Sequence, residues 1–171
     1  MNVKNTNNNS TLPLQGDIAN MSIIHLKSKR RIKIEKIRRE HMEQVVTLLQ
    51  EISKFQPALE EYDYNWMLFS AQNNVFSIVA INDQNNVVGF GSLVIEYKIR
   101  GGKLGHVEDI VTSSSYRNEG LGYAILDKLY DFAKENGCYK VALQCRIHNV
   151  SFYEKCNYTV SGTAMQRFVS C

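Results

Sequence analysis

A strand pattern, a glycine-containing turn, a long helix pattern and a second strand pattern follow one another between residues 105 and 145, and this order constrains the fold more than any other feature. Apolar side chains at every third or fourth position predict a helix over 119–136. Strands are predicted on either side of it, over 106–112 and 139–145. Because strands joined by a crossover helix lie parallel, we expect a sheet with helices packed on it.

The other patterns fit one domain over 23–171, preceded by an Asn-rich tail over 1–22 that is predicted to be disordered. Alternation and β-branched content predict further strands over 32–37, 75–82, 87–97, 158–161 and 164–169. Apolar periodicity predicts further helices over 39–54, 59–72 and 149–156. Residues 98–105 are interpreted as a loop that carries Lys98, Arg100 and Lys103.

Composition argues against several classes of function. The net charge of +3 gives no general attraction to nucleic acid, and the basic run over 27–33 is typical of a solvated segment leading into the first strand. No apolar run approaches the roughly 20 residues that span a bilayer. The four cysteines show no metal-binding spacing, so we expect free thiols, no metal and a cytoplasmic protein.

The turn before the main helix is a candidate anion site. A helix start presents backbone N–H groups that have no partner within the helix, and its dipole favours negative charge. The P-loop pattern is absent, and the dinucleotide pattern fails where Ile125 stands in place of its third glycine. The turn is therefore either a diphosphate cradle or simply a flexible helix start; it reads Arg117-Asn118-Glu119-Gly120-Leu121-Gly122.

This turn resembles the acyl-CoA pyrophosphate loop of the GCN5-related N-acetyltransferases, R/Q-x-x-G-x-G/A. Residues 105–110, 137–140 and 149–156 resemble, in the same order, the branch that acetylates glucosamine 6-phosphate. The resemblance covers roughly residues 75 to 168. It implies an α/β (α+β) fold with a mixed, mostly antiparallel twisted sheet, splayed central strands and helices on both faces. It also implies acetyl-CoA as co-substrate and a homodimer that exchanges C-terminal strands.

The resemblance assigns three segments to the cofactor. The backbone of the turn would bind the diphosphate, and the backbone of a strand would pair with the pantetheine arm: Ile110, Val111 and Thr112. A third segment contributes Asn149, Phe152, Tyr153 and Lys155. Glu119 would repel a diphosphate, so we expect its side chain to point away.

Three groups are candidates for the chemistry. The backbone N–H of Ile110 would stabilise the carbonyl oxygen, and Tyr153 would donate a hydrogen bond to the leaving thiolate. Glu108 would help to accept the amine proton. Without the resemblance, the sequence favours a core tyrosine at position 153, and Glu108 is equally consistent with a paired structural acid. Glu108 and Asp109 are adjacent on a strand, so alternation predicts opposite faces.

Family matching places the amino sugar and its phosphate near six side chains: Lys98, Arg100, Lys103, Glu108, Asp109 and Arg167. The alternative for the four cations is that they are ordinary surface charges. Gln144 departs from the family, which carries an acid at this point. The 98–105 loop is also shorter than in relatives. Two other functions therefore stay open: acetylation of another small amine or a protein amine, and non-catalytic acyl-CoA binding.

Overall fold

Six strands form one sheet in chain order in the computed structural model, which describes residues 21–169. The four pairings between the first five strands are antiparallel, and the last pairing is parallel. The predicted mixed, mostly antiparallel sheet and its parallel crossover are therefore confirmed. The strands are β1 (Ser22–His25), β2 (Arg31–Lys36), β3 (Val75–Asn82), β4 (Val87–Tyr97), β5 (Lys103–Thr112) and β6 (Cys138–Leu143).

Helices cover both faces of the sheet, as expected. They are α1 (Met42–Leu49), α2 (Tyr62–Ser70), α3 (Leu121–Glu135) and α4 (Val150–Lys155). The apolar stripe of α3 is buried against one face, where Phe132 stacks on Phe76 with ring centroids 3.9 Å apart. Val45 and Leu48 of α1 pack on the other face. Each fully buried Leu or Ile contributes about 1.5–3 kcal/mol, so the α3 stripe anchors the helix firmly.

The two strands at the parallel end of the sheet separate. β5 and β6 pair only from Lys103–Cys138 to Val107–Leu143, although β5 continues to Thr112. Among the described residues, the side of β5 that faces away from β4 has no strand partner beyond Val107. Its N–H and C=O groups can therefore pair with an extended ligand.

A β-bulge lies at the same place in β5. Ser92 pairs with Glu108 and Phe90 pairs with Val111, so two residues of β5 lie opposite one residue of β4. Asp109, inside the bulge, has a φ of +55°. Val107 consequently packs in the α3 cluster while Val111 packs in the α1 cluster, although strict alternation would place them on one face. The bulge re-aims the side chains at the end of β5.

Several sequence predictions are wrong at the ends of the chain. Strands were predicted over 158–161 and 164–169, but no residue from 157 to 169 belongs to a strand. Alternating apolar residues form a strand only where they pair with another strand, and these residues pair with none in the described chain. β1 was not predicted, because only four residues carry its pattern.

Element boundaries also differ from the predictions, for example at β5 and α1. β5 begins at Lys103 rather than 106, so the basic loop covers 98–102. α1 covers Met42–Leu49 rather than 39–54, because residues 39–41 form a tighter 3₁₀ turn. The predicted disordered tail lies, except for its last two residues, outside the described residues. Within residues 21–169, no helix combines the length and the apolar character needed to cross a bilayer.

Candidate active site

A cavity of about 1000 Å³ opens where β5 and β6 separate. β6, α3, α4 and the segment that follows α4 provide most of its walls. Of the residues predicted from the sequence, Glu108 and Tyr153 line it, together with Gln144. Asp109 is not among the lining residues. The structure thus brings the two candidate proton-handling side chains to one space.

The three predicted cofactor segments meet beside this cavity. A methyl group placed at Gly122 would lie 3.1 Å from Cζ of Phe152 and 3.9 Å from Cγ2 of Thr112. The start of α3, the end of β5 and α4 are therefore in contact around one glycine. Asn149 directly precedes α4 and Lys155 ends it, so both lie on the element that carries Phe152 and Tyr153.

The turn before α3 has the backbone of an anion cradle. Asn118 and Gly120 have φ values of +61° and +92°, and Gly120 is the N-cap residue, with no side-chain cap on α3 within the described residues. The first N–H groups of α3 therefore remain available to a ligand. Arg117 donates to Glu51 Oε2 at 2.9 Å, on the surface.

Glu119 is engaged on the other side of the turn. Its Oε2 accepts from the backbone N–H of Ser28 and its Oε1 from Arg30, both at 2.9 Å. The hydrogen bonds from Ser28 and then from Arg30 lower the pKa of this carboxyl. The Glu119 carboxylate is therefore occupied by partners outside the turn, and its direction relative to a bound anion stays a prediction.

Tyr153 has the environment of a hydrogen-bond donor that keeps its proton. Burial, reinforced by the neighbouring Cys145 and Cys156 thiols, raises the pKa of its phenol. Its ring packs edge-on against Phe152 and Tyr158, with centroids 5.0 and 6.0 Å away. At neutral pH the hydroxyl is therefore protonated, and Tyr153 lines the cavity, so it can donate a hydrogen bond there.

Glu108 and Asp109 differ in environment because Asp109 lies inside the bulge, which turns its side chain out of the regular strand pattern. Glu108 lines the cavity, whereas burial raises the pKa of the Asp109 carboxyl. Alternation alone does not explain their separation, because the left-handed φ of Asp109 interrupts the regular strand. Ile110 follows directly, packs on the α3 cluster and lies within the bulge.

The predicted phosphate-binding cations are scattered. Lys98 donates to Glu96 at 2.6 Å, and His106, which lines the cavity, contacts the same carboxylate oxygen at 3.0 Å. Lys103 donates to the backbone oxygen of Asn136 at 2.9 Å. Arg100 and Arg167 lie exposed in the basic loop and in the C-terminal segment. The described single chain therefore does not gather these cations into one cluster.

Sequence reasoning missed Tyr158. It lines the cavity, its ring lies against Tyr153, and burial raises its pKa to about 12. Its buried hydroxyl has no hydrogen-bond partner among the described residues. The sequence signal was present, since Tyr158 follows α4 closely, but the residue was assigned to a strand.

A sheet that splays beside a bulged strand, with an uncapped glycine turn opening the next helix, matches the fold that the sequence resemblance implied. The comparisons with known proteins agree with this fold. The model of the acetyltransferase (GNAT) family matches residues 36–158. The chain belongs to the GNAT acetyltransferase family.

Relatives within the family carry a more particular name. The glucosamine 6-phosphate N-acetyltransferase 1 of Dictyostelium discoideum is 36% identical over 71% of this chain and 80% of its own length. The glucosamine 6-phosphate N-acetyltransferase of Candida albicans is 36% identical over 80% of this chain and 91% of its own. The crystal structure of the Arabidopsis thaliana enzyme of that name is 30% identical, covers 81% of this chain and 99% of its own, and superposes with a TM-score of 0.75.

Proposed function

We propose that this protein transfers the acetyl group of acetyl-CoA to the amine of D-glucosamine 6-phosphate, giving N-acetylglucosamine 6-phosphate and CoA for amino-sugar nucleotide synthesis. The convergence of β5, the α3 turn and α4 around Gly122, beside the cavity lined by Tyr153 and Glu108, carries the proposal. The choice of acceptor is supported by the names of the relatives.

The residues at the splay fit an acyl-CoA. The unpaired side of β5 over 108–112 offers N–H and C=O groups to a pantetheine arm, in the manner of an added strand. The N–H groups at the start of α3, with Arg117, offer donors to a diphosphate. The missing Cβ of Gly122 leaves room beside Phe152. When bound, acetyl-CoA supplies the acetyl group and a thiol leaving group.

Transfer then depends on three groups of the chain. The backbone N–H of Ile110 donates to the acetyl carbonyl oxygen as negative charge develops there, and one such donor contributes about 3–4 kcal/mol. Tyr153 donates a hydrogen bond to the departing sulfur. Because an ordinary phenol is a weaker acid than a thiol and burial weakens Tyr153 further, it stabilises the thiolate without giving up its proton completely.

The amine requires little activation. A sugar amine resembles an α-amino group, with a pKa of roughly 7 to 8, so a large share is neutral at physiological pH. Glu108, at the cavity wall, or a water beside it accepts the proton that the nitrogen loses. The amine attacks the carbonyl carbon directly, and the acyl group passes to nitrogen without a covalent enzyme intermediate.

Acceptor binding is proposed to use the basic loop and the end of β5. Lys98, Arg100, Lys103 and Arg167 are the candidate partners of the sugar phosphate, with Asp109 near the sugar. Lys98 now pairs with the Glu96 carboxylate on the surface, and a phosphate would offer it a charged acceptor of the same kind.

A homodimer is part of the proposal. β6 is the edge of the sheet in the described chain, and the segment after α4 exposes Val160, Met165 and Phe168 at 72%, 91% and 85%. These residues would be covered by a second copy whose C-terminal segment is exchanged, which would bring Arg167 to a shared site.

Free cysteines at 138, 145 and 156 support a cytoplasmic location.

A thiol-release assay tests the proposed function with acetyl-CoA and three amines: glucosamine 6-phosphate, glucosamine and a histone peptide. The proposal expects fast release only with the sugar phosphate. Release with another amine alone would move the enzyme to a different acceptor. Binding of acetyl-CoA without release from any amine would indicate a non-catalytic acyl-CoA-binding protein.

A further inference from the structure

The turn between β1 and β2 contacts the diphosphate loop, defined here as residues 113–120. Glu119 is the centre of this contact. Its two carboxylate oxygens accept from Arg30 Nη2 and from the Ser28 N–H, each at 2.9 Å. Its backbone oxygen accepts from the Lys27 N–H at 3.2 Å. The turn therefore engages both the side chain and the backbone of one loop residue.

Arg30 makes two further contacts with the same loop. Its Nη2 donates to the backbone oxygen of Ser115 at 3.0 Å. Its guanidinium lies 4.1 Å from the ring centroid of Tyr116, a cation–π distance. The Tyr116 hydroxyl in turn accepts from Asn82 Nδ2 at 3.0 Å. The Arg30 side chain thus contacts three residues of the loop, Ser115, Tyr116 and Glu119.

The loop needs such support because its backbone is unfavourable. Asn118 has a φ of +61° and Gly120 one of +92°, two left-handed residues within one short turn, a conformation that Asn and Gly tolerate better than other residues do. Several N–H groups must point to one ligand at the start of α3, and small rotations here would misalign them. A brace from outside the loop holds this arrangement before the ligand arrives, which reduces the ordering cost of binding.

The brace also has an electrostatic consequence. Glu119 places a carboxylate inside the motif that is proposed to receive a doubly charged diphosphate. Arg30 lies directly on that carboxylate and offsets its charge. Without Arg30 the Glu119 carboxylate would keep only the Ser28 N–H as a partner, and its negative charge near the ligand would no longer be offset by a cation.

We propose that Arg30 is a positioning residue for acetyl-CoA, which braces the diphosphate loop through Ser115, Tyr116 and Glu119 and neutralises the Glu119 carboxylate. The inference rests on the proposed use of acetyl-CoA. It adds a residue from the basic β1–β2 turn, 89 positions before Glu119 in the chain, to the determinants of cofactor affinity.

Arg30→Met is the test and Arg31→Met is its matched control. Arg31 is the next residue and forms a more exposed pair with Asp83 at 3.0 Å, outside the diphosphate loop. Calorimetry with acetyl-CoA should give a Kd raised about five- to tenfold for Arg30→Met, the effect of one uncompensated charge near a diphosphate. The kcat at saturating acetyl-CoA should stay within about twofold, and the Kd of Arg31→Met should equal that of the wild type.

A charge rescue separates positioning from general destabilisation. Combining Glu119→Gln with Arg30→Met also removes the negative charge of residue 119, so the double variant should bind acetyl-CoA more tightly than Arg30→Met. The difference should shrink at high salt. Arg30→Lys keeps the charge but loses the fork geometry, and serves if Arg30→Met folds poorly; it should weaken binding by a smaller factor.

Two results would overturn the inference. An unchanged Kd in Arg30→Met removes the positioning role, and a double variant no tighter than Arg30→Met removes the neutralising role. A wild-type protein that neither binds acetyl-CoA nor releases thiol would instead refute the proposed function, so the two failures are distinguishable.

Discussion

Replacing Gly120 by Ala tests the geometry of the diphosphate loop. Gly120 has a φ of +92°, and among the described residues no atom lies within 4 Å of the position its methyl group would take. The substitution causes no clash, so its cost comes from the backbone alone. A non-glycine residue in the left-handed region costs about 1–2 kcal/mol. In a domain of this size each kcal/mol lowers the Tm by about 2–4 °C, so we expect a fall of about 2–8 °C.

Gly137 provides the matched control at the other end of α3. Its φ is +73°, and its added methyl group also meets nothing within 4 Å in the described chain. Gly137→Ala should therefore cost as much stability as Gly120→Ala. Only Gly120 lies among the amides proposed to bind diphosphate, so only Gly120→Ala should raise the Kd of acetyl-CoA, by about tenfold for each 1.4 kcal/mol of disturbed contacts.

Thermal denaturation followed by circular dichroism, together with calorimetric titration of acetyl-CoA, gives both quantities. A Gly120→Ala protein as stable as the wild type would contradict the left-handed backbone. Equal loss of acetyl-CoA affinity in the two variants would show that the loop is not the diphosphate site, even if the stability prediction holds.

Three further predictions concern the cavity and the core. Tyr153→Phe should lower kcat at least about tenfold with little change in the Kd of acetyl-CoA, because the lost hydrogen bond forms mainly to the departing thiolate. Stopped-flow measurement of thiol release gives kcat, and equal turnover in the two proteins would show that Tyr153 does not assist thiolate departure. Glu108→Gln should lower kcat/KM for the amine by about tenfold, most clearly below the amine pKa, and a superimposable pH–rate profile would refute it. Burial, followed by the charge of Arg38, holds the pKa of His41 below its ordinary value of 6.5. The unfolded chain therefore binds a proton at His41 more readily than the folded chain does. This contribution to the free energy of unfolding is present above about pH 6.5 and is lost as the pH falls below it. Urea denaturation at pH 7.5 and 5.5 should show a smaller loss for His41→Gln than for the wild type, and an equal loss would exclude His41 as its source.

The sequence alone predicted an element correctly where its local pattern agrees with its burial in the fold. The stripe Leu121–Phe132 predicted α3 because helical periodicity and a buried face coincide there. The parallel pairing of β5 and β6 followed from the crossover. The positive φ of Gly120 fits the conformational freedom that the glycine turn suggested. The assignment of Glu108 and Tyr153 to one site came from resemblance, and the structure places both at the same cavity.

Only the tertiary structure decided how distant segments combine. The bulge at Asp109 has no local signature, because it depends on the register between β4 and β5. The same holds for Arg30 on Glu119 and for Lys103 on Asn136, which join residues far apart in the chain. The alternating residues of 158–169 read as strands, yet form none in the described chain, since a strand exists only where another edge completes its hydrogen bonds. Periodicity along the chain thus determined which elements form, whereas pairing across the fold determined where the chemistry lies.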